Sequence, residues 1–151
     1  MKRFIYLFIL FFSLVTSYTF AQNNLMILKL TYGDVEIELY QDKAPNHVKR
    51  FKELADSGKY DGVVFHRVID GFMAQTGDVK FGNSNNPDFN LSLAGTGGSD
   101  LPNLKAEFTD IAHTRGILSA ARSADPNSAN SQFFICFDSV SYTHLTLPTK
   151  P

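Results

Sequence analysis

Positions 25–30 are apolar except for Lys29, and positions 35–39 alternate apolar and acidic residues as Val35, Glu36, Ile37, Glu38 and Leu39. Thr31-Tyr32-Gly33-Asp34 lies between them, so the pattern predicts an antiparallel hairpin with one wet face. Val48, Phe51, Leu54 and Ala55 then recur at helical spacing, with Pro45 near the first turn and Gly58 after the last. These start and stop signals predict an amphipathic helix of about three turns. Two short β-type runs follow, 63–69 and 72–75, separated by Asp70-Gly71, which reads as a second hairpin.

From 79 to 105 the composition turns to Asn, Ser, Gly and Pro, which predicts one long surface loop. Strand-like patterning resumes at 116–121 and at 132–137. One helix among about six short strands predicts an all-β dominated domain, an antiparallel barrel or sandwich.

The first residues follow a different rule. Lys2 and Arg3 precede an unbroken apolar run over 4–12, and Thr19-Phe20-Ala21 places small residues at its polar end. This order predicts a signal peptide over 1–21, cleaved after Ala21, and a periplasmic or secreted protein. An apolar core of about a dozen residues falls short of the roughly 20 that a spanning helix requires, so no membrane contact is expected after cleavage.

Charge narrows the partners. The chain has 14 Lys and Arg, of which Lys2 and Arg3 lie in the leader, leaving 12 against 15 Asp and Glu. A mildly acidic domain has no cationic surplus to attract phosphates, which excludes nucleic acid as an expected partner. The lone Cys136 precludes an intrachain disulfide and sits in an apolar run, where it reads as a small core residue. His47, His66, His113 and His144 lack metal-ligand spacing, and Gly95-Thr96-Gly97-Gly98 lacks the strand-to-helix setting of a phosphate loop. No metal or cofactor is expected.

One segment stands apart: Phe65-His66-Arg67-Val68-Ile69-Asp70-Gly71-Phe72-Met73-Ala74-Gln75 sets one arginine among aromatic and sulfur-bearing side chains. Strand alternation puts Phe65 and Arg67 on one side. From this segment alone Arg67 reads equally as a surface charge beside core residues or as the cation of a site.

Together with Gln75-x-Gly77-Asp78, Glu107-Phe108, His113-Thr114-Arg115-Gly116-Ile117-Leu118-Ser119, Ala121-Arg122 and Asn130-Ser131-Gln132-Phe133-Phe134-Ile135, this segment resembles the cyclophilin-type peptidyl-prolyl cis/trans isomerases. The resemblance runs from about Ile27 to about Asp138, with several separated motifs in the family's order. It implies a closed antiparallel eight-stranded β-barrel with flanking helices, and a site on its outer face. It also implies that Arg67 is the catalytic arginine, and that Phe72, Met73 and Phe134 form the apolar wall receiving the proline ring. Gln75 and Gln132 match the glutamines beside that wall. Ala121 and the main chain of Arg122 match the edge along which the substrate backbone lies.

The implied function is acceleration of X-Pro isomerisation during folding of exported proteins, by a cofactor-free monomer whose partners are proline-containing peptides and unfolded exported chains. A proline-peptide-binding or chaperone module, with the same barrel and little turnover, is the alternative. After Phe137-Asp138 the resemblance fails, so residues 22–138 are expected to form an incomplete isomerase domain and 139–151 a tail foreign to it. The closing strand and second helix of the barrel are then missing, and an unclosed barrel with an open edge is expected to be marginally stable or aggregation-prone, and weakly active or inactive. The 79–105 loop exceeds the usual bacterial length by about ten residues, and with no Trp in the chain cyclosporin-type binding is not assigned.

Overall fold

A computed structural model describes residues 24–139. The expected signal peptide, and all of the expected foreign tail except Ser139, lie outside the described residues. The chain forms β1 (Leu25–Leu30), β2 (Gly33–Glu38), α1 (Pro45–Asp56), β3 (Arg67–Ile69), β4 (Met73–Thr76), β5 (Leu118–Ala120) and β6 (Phe133–Cys136). Strands β1 and β2 pair antiparallel as a two-stranded sheet, and the others form a four-stranded antiparallel sheet in the order β3-β4-β6-β5. No helix among the described residues is long and apolar enough to cross a membrane.

Both predicted hairpins are present. In the first, Met26 pairs with Ile37 and Leu28 with Val35; Met26, Leu28 and Ile37 join the core while Val35 stays exposed. Its outer face pairs Leu25 with Glu38 and Ile27 with Glu36, and both Leu25 and Ile27 are exposed. The wet face is therefore half apolar.

Helix α1 forms where the spacing placed it. Pro45 fixes the first turn, and Val48 and Leu54 are buried. Its C-terminus closes by two backbone bonds, Gly58 N–H to Ala55 and Lys59 N–H to Leu54, with Gly58 at φ +68°. That is the left-handed position where a Cβ is penalised, which is why the glycine stops the helix. The N-terminus lacks a local cap because position 44 is alanine. Glu107 supplies one from a distant loop, accepting from the backbone N–H groups of Asn46 and His47 at 3.0–3.1 Å.

Strand β6 divides the core. Phe133 meets Phe51 and Tyr60 edge to face, at ring-centroid distances of 4.9 and 5.6 Å. One residue on, Phe134 packs against Met73 and Cys136 on the opposite side. Cys136 is buried and unpaired, as its apolar setting predicted, and burial raises its thiol pKa. On the inner side Ile37, Leu39 and Val48 cluster with Met26, Leu28, Phe51 and Leu118. Alternation at period two thus gives one sheet two apolar faces.

The expected closed eight-stranded barrel is not seen among the described residues: six strands form two separate ladders. An open hollow of about 1690 Å³ is bordered by inner residues such as Ile37, Leu39 and Val48 and also reaches Arg67, Gln75 and Phe134. The 79–105 loop is ordered by turns and by two isolated bridges, Val63 to Asn83 and Leu104 to Ala129. Asn130 pins it further, accepting from Ser99 N–H and Oγ–H while donating to the carbonyl of Leu101.

Candidate active site

The four-stranded sheet sets one residue from each strand in a single row. Arg67 stands opposite Gln75, Gln75 opposite Phe134, and Phe134 opposite Ser119. Directly opposed residues of antiparallel strands project from the same face, so one cation, one amide, one aromatic ring and one hydroxyl line up across it. Met73 and Cys136, also opposed, make the neighbouring row and are nearly fully buried. Phe72 and Ala121 pack half-buried against them.

Hydrogen bonds fix the polar members. Gln75 Nε2 donates to Gln132 Oε1 at 2.8 Å, and Gln132 Nε2 donates to the carbonyls of Gly95 and Gly97 at 3.0 and 2.7 Å. The Gln132 carbonyl accepts from Ala121 N–H at 2.8 Å, tying the end of β5 to the same corner. Arg67 is half-buried, and its guanidinium makes no hydrogen bond or ion pair with another described residue. Its five N–H donors are uncommitted among the described residues.

The structure therefore brings Arg67, Phe72, Met73, Gln75, Ala121, Gln132 and Phe134 to one face and its edge. Arg122 follows Ala121, and its Nη1 donates to the carbonyl of Ser123 at 2.9 Å. Among the described residues, no group of three or more His, Cys, Asp or Glu could hold a metal ion.

Two neighbours escaped sequence reasoning. His113 stacks on Phe134 with ring centroids 5.9 Å apart and planes 13° apart, and its Nε2 lies 3.1 Å from Ser119 Oγ. Burial lowers its pKa, so a neutral ring backs the aromatic wall. Period-two alternation from Ala121 gives Ser119 its face, but nothing in the sequence links His113 to Phe134. His66, beside Arg67, is also held below its ordinary pKa, chiefly by burial and despite the opposing charge of Asp78.

This mostly β domain therefore carries one uncommitted cation beside apolar side chains, with two side-chain amides next to it. Residues 25–146 match the family described as "Cyclophilin type peptidyl-prolyl cis-trans isomerase/CLD", and the chain belongs to that family. A probable peptidyl-prolyl cis-trans isomerase of Brucella suis is 58% identical over 115 residues, covering 76% of this chain and 58% of that protein. A peptidyl-prolyl cis-trans isomerase of Acinetobacter baylyi is 36% identical over 122 residues, 81% of this chain and 58% of the other.

Among solved structures, a cyclophilin from Hirschia baltica superposes with a TM-score of 0.63 at 27% identity, covering 78% of this chain and 59% of that one. A Cryptosporidium parvum cyclophilin-type isomerase, solved in the presence of the dipeptide Ala-Pro, gives 0.60 at 33% identity, covering 73% and 65%. The chain thus spans 58% of the length of these curated relatives.

Proposed function

We propose that this protein accelerates cis/trans isomerisation of X-Pro peptide bonds, and the observation that carries the reading is the opposition of Arg67 to Gln75 and of Gln75 to Phe134. Rotation about an amide crosses about 18–20 kcal/mol because resonance gives the C–N bond double-bond character. Planar cis and trans X-Pro forms are nearly balanced, so catalysis requires no bond making and no cofactor. It requires a group that favours the twisted state over both planar ones.

Arg67 has that chemistry. As the bond twists, the prolyl nitrogen regains its lone pair and becomes an acceptor, and the free guanidinium donates to it. Phe72, Met73 and Phe134 hold the ring and keep water from the cation, which strengthens the donation. A charge-assisted bond of about 1.5–3 kcal/mol, made only in the twisted state, accelerates exchange by roughly 10- to 150-fold. Gln75, Gln132, Ala121 and the Arg122 main chain hold the peptide backbone beside the wall.

The Ala-Pro dipeptide present with the Cryptosporidium parvum isomerase supports a proline-containing peptide as the ligand. The leader-like residues 1–21 support an exported protein working on exported chains, in the periplasm or beyond. The closed eight-stranded barrel is proposed for a chain of the relatives' full length.

The two unjoined sheets favour one second reading, a module that binds proline peptides without useful turnover. Cis/trans exchange of an Ala-Pro peptide, measured by NMR with the wild-type chain and with Arg67→Ala, separates the two. Acceleration by the wild type alone supports the isomerase. Peptide binding without acceleration supports the module.

A further inference from the structure

Asp78 has no exposed surface, and backbone N–H groups satisfy its carboxylate. Oδ1 accepts from Lys80 and Phe81 at 3.0 Å each, and Oδ2 from Gly95 at 2.7 Å and Gly97 at 2.9 Å. A buried charge is tolerated only when so completely bonded. Oδ1 therefore holds the start of the 79–105 loop and Oδ2 its middle.

The middle is gripped from its carbonyl side as well. Gln132 Nε2 donates to the oxygens of Gly95 and Gly97, and Gln132 Oε1 accepts from Gln75, which stands opposite both Arg67 and Phe134. The Gln132 amide cannot rotate or exchange ends without losing all three bonds. Its orientation follows from where the 95–97 segment lies, and that position follows from Asp78.

We propose that Asp78 is a positioning residue: by fixing the 95–97 segment it fixes Gln132, and through Gln132 it sets Gln75 in the orientation that receives the peptide backbone. The inference rests on the isomerase reading of the Arg67 row. It assigns Asp78 to substrate binding, leaving the rate of the bound peptide to Arg67.

Asp78→Asn tests this with little change in volume. Its Nδ2 would confront two N–H donors with hydrogens of its own, so half of the four bonds are lost. The expected result is a rise in KM for an Ala-Pro peptide of about tenfold with kcat retained, the effect of one lost buried hydrogen bond. The side-chain amide NMR signals of Gln75 and Gln132 should shift at the same time. Gly97→Ala is the second variant, because a Cβ there would sit 2.8 Å from Asp78 Oδ1 and 2.7 Å from Phe81 Cδ2, displacing the segment while leaving the carboxylate intact. It should reproduce both changes, and it decides the matter if Asp78→Asn does not fold.

Combining Asp78→Asn with Gln132→Ala should raise KM no further than Gln132→Ala alone. Additive effects, a loss in kcat with KM unchanged, or unmoved Gln75 and Gln132 signals in a folded variant would each overturn the proposal. A wild-type chain that binds the peptide without accelerating exchange would instead remove the isomerase reading, while the amide signals still report on Asp78.

Discussion

Glu107 places a carboxylate oxygen 2.7 Å from His47 Nδ1, a contact that spans 60 residues of sequence. The same carboxylate accepts from the first free N–H groups of α1 and from the Asn46 side chain. Helices with an alanine at the cap position leave those donors without a local side-chain partner, and an anion there also meets the positive end of the helix dipole. Glu107 therefore joins the far end of the loop region to the helix that underlies the inner core.

Replacing Glu107 by alanine is expected to destabilise the fold by about 1–2 kcal/mol, the range of a lost N-cap. Chemical denaturation at pH 7 measures it. An effect below about 0.3 kcal/mol would contradict the capping role.

The same contact sets an acid limit. Burial opposes ionisation of Glu107, but the bonds from His47 and Asn46 outweigh it and hold its pKa below the ordinary 4.5. A carboxylate depressed in the folded state stabilises fully above its unfolded value and loses that contribution as pH falls through the folded one. The wild type should therefore lose stability below about pH 4.5 more steeply than Glu107→Gln. Parallel profiles for the two would contradict this linkage.

His113 titrates with the opposite residue type and the same direction of effect. Burial lowers its folded pKa, so protons bind more readily to the unfolded chain, and stability falls as pH drops below the ordinary 6.5. His113→Phe keeps a ring against Phe134 and removes the proton. Its melting temperature should fall less than that of the wild type between pH 7 and pH 5, as followed by circular dichroism.

Adjacent phenylalanines should behave differently. Phe133→Leu loses two edge-to-face contacts, each worth about 0.5–1.5 kcal/mol, and should lower stability without altering peptide affinity. Phe134→Leu should weaken binding of an Ala-Pro peptide, because that side chain lies on the row with Arg67. Titration of both variants with the peptide distinguishes them.

Much of this was readable from the sequence wherever the signal is local. The alternation of 35–39, the Pro45 and Gly58 boundaries of α1, and the Asp70-Gly71 turn each act within a few residues, and each element formed there. What escaped depends on partners remote in sequence. The Glu107 cap has no helical neighbour to reveal it, and the four acceptances of Asp78 come from backbone groups that any residue type provides. Alternation gave Arg67 a face, while its place opposite Gln75 follows from register, which the pattern leaves open. The closed barrel came with the resemblance, and among the described residues the two sheets remain unjoined.

The central claim rests on the uncommitted guanidinium, and the most direct measurement is the cis/trans exchange rate of an Ala-Pro peptide with Arg67→Ala beside the wild type. The account predicts that the variant keeps its melting temperature, since Arg67 bonds to no described side chain, and loses about 100-fold of the acceleration, as for one removed transition-state donor. Equal acceleration by the two proteins would contradict it.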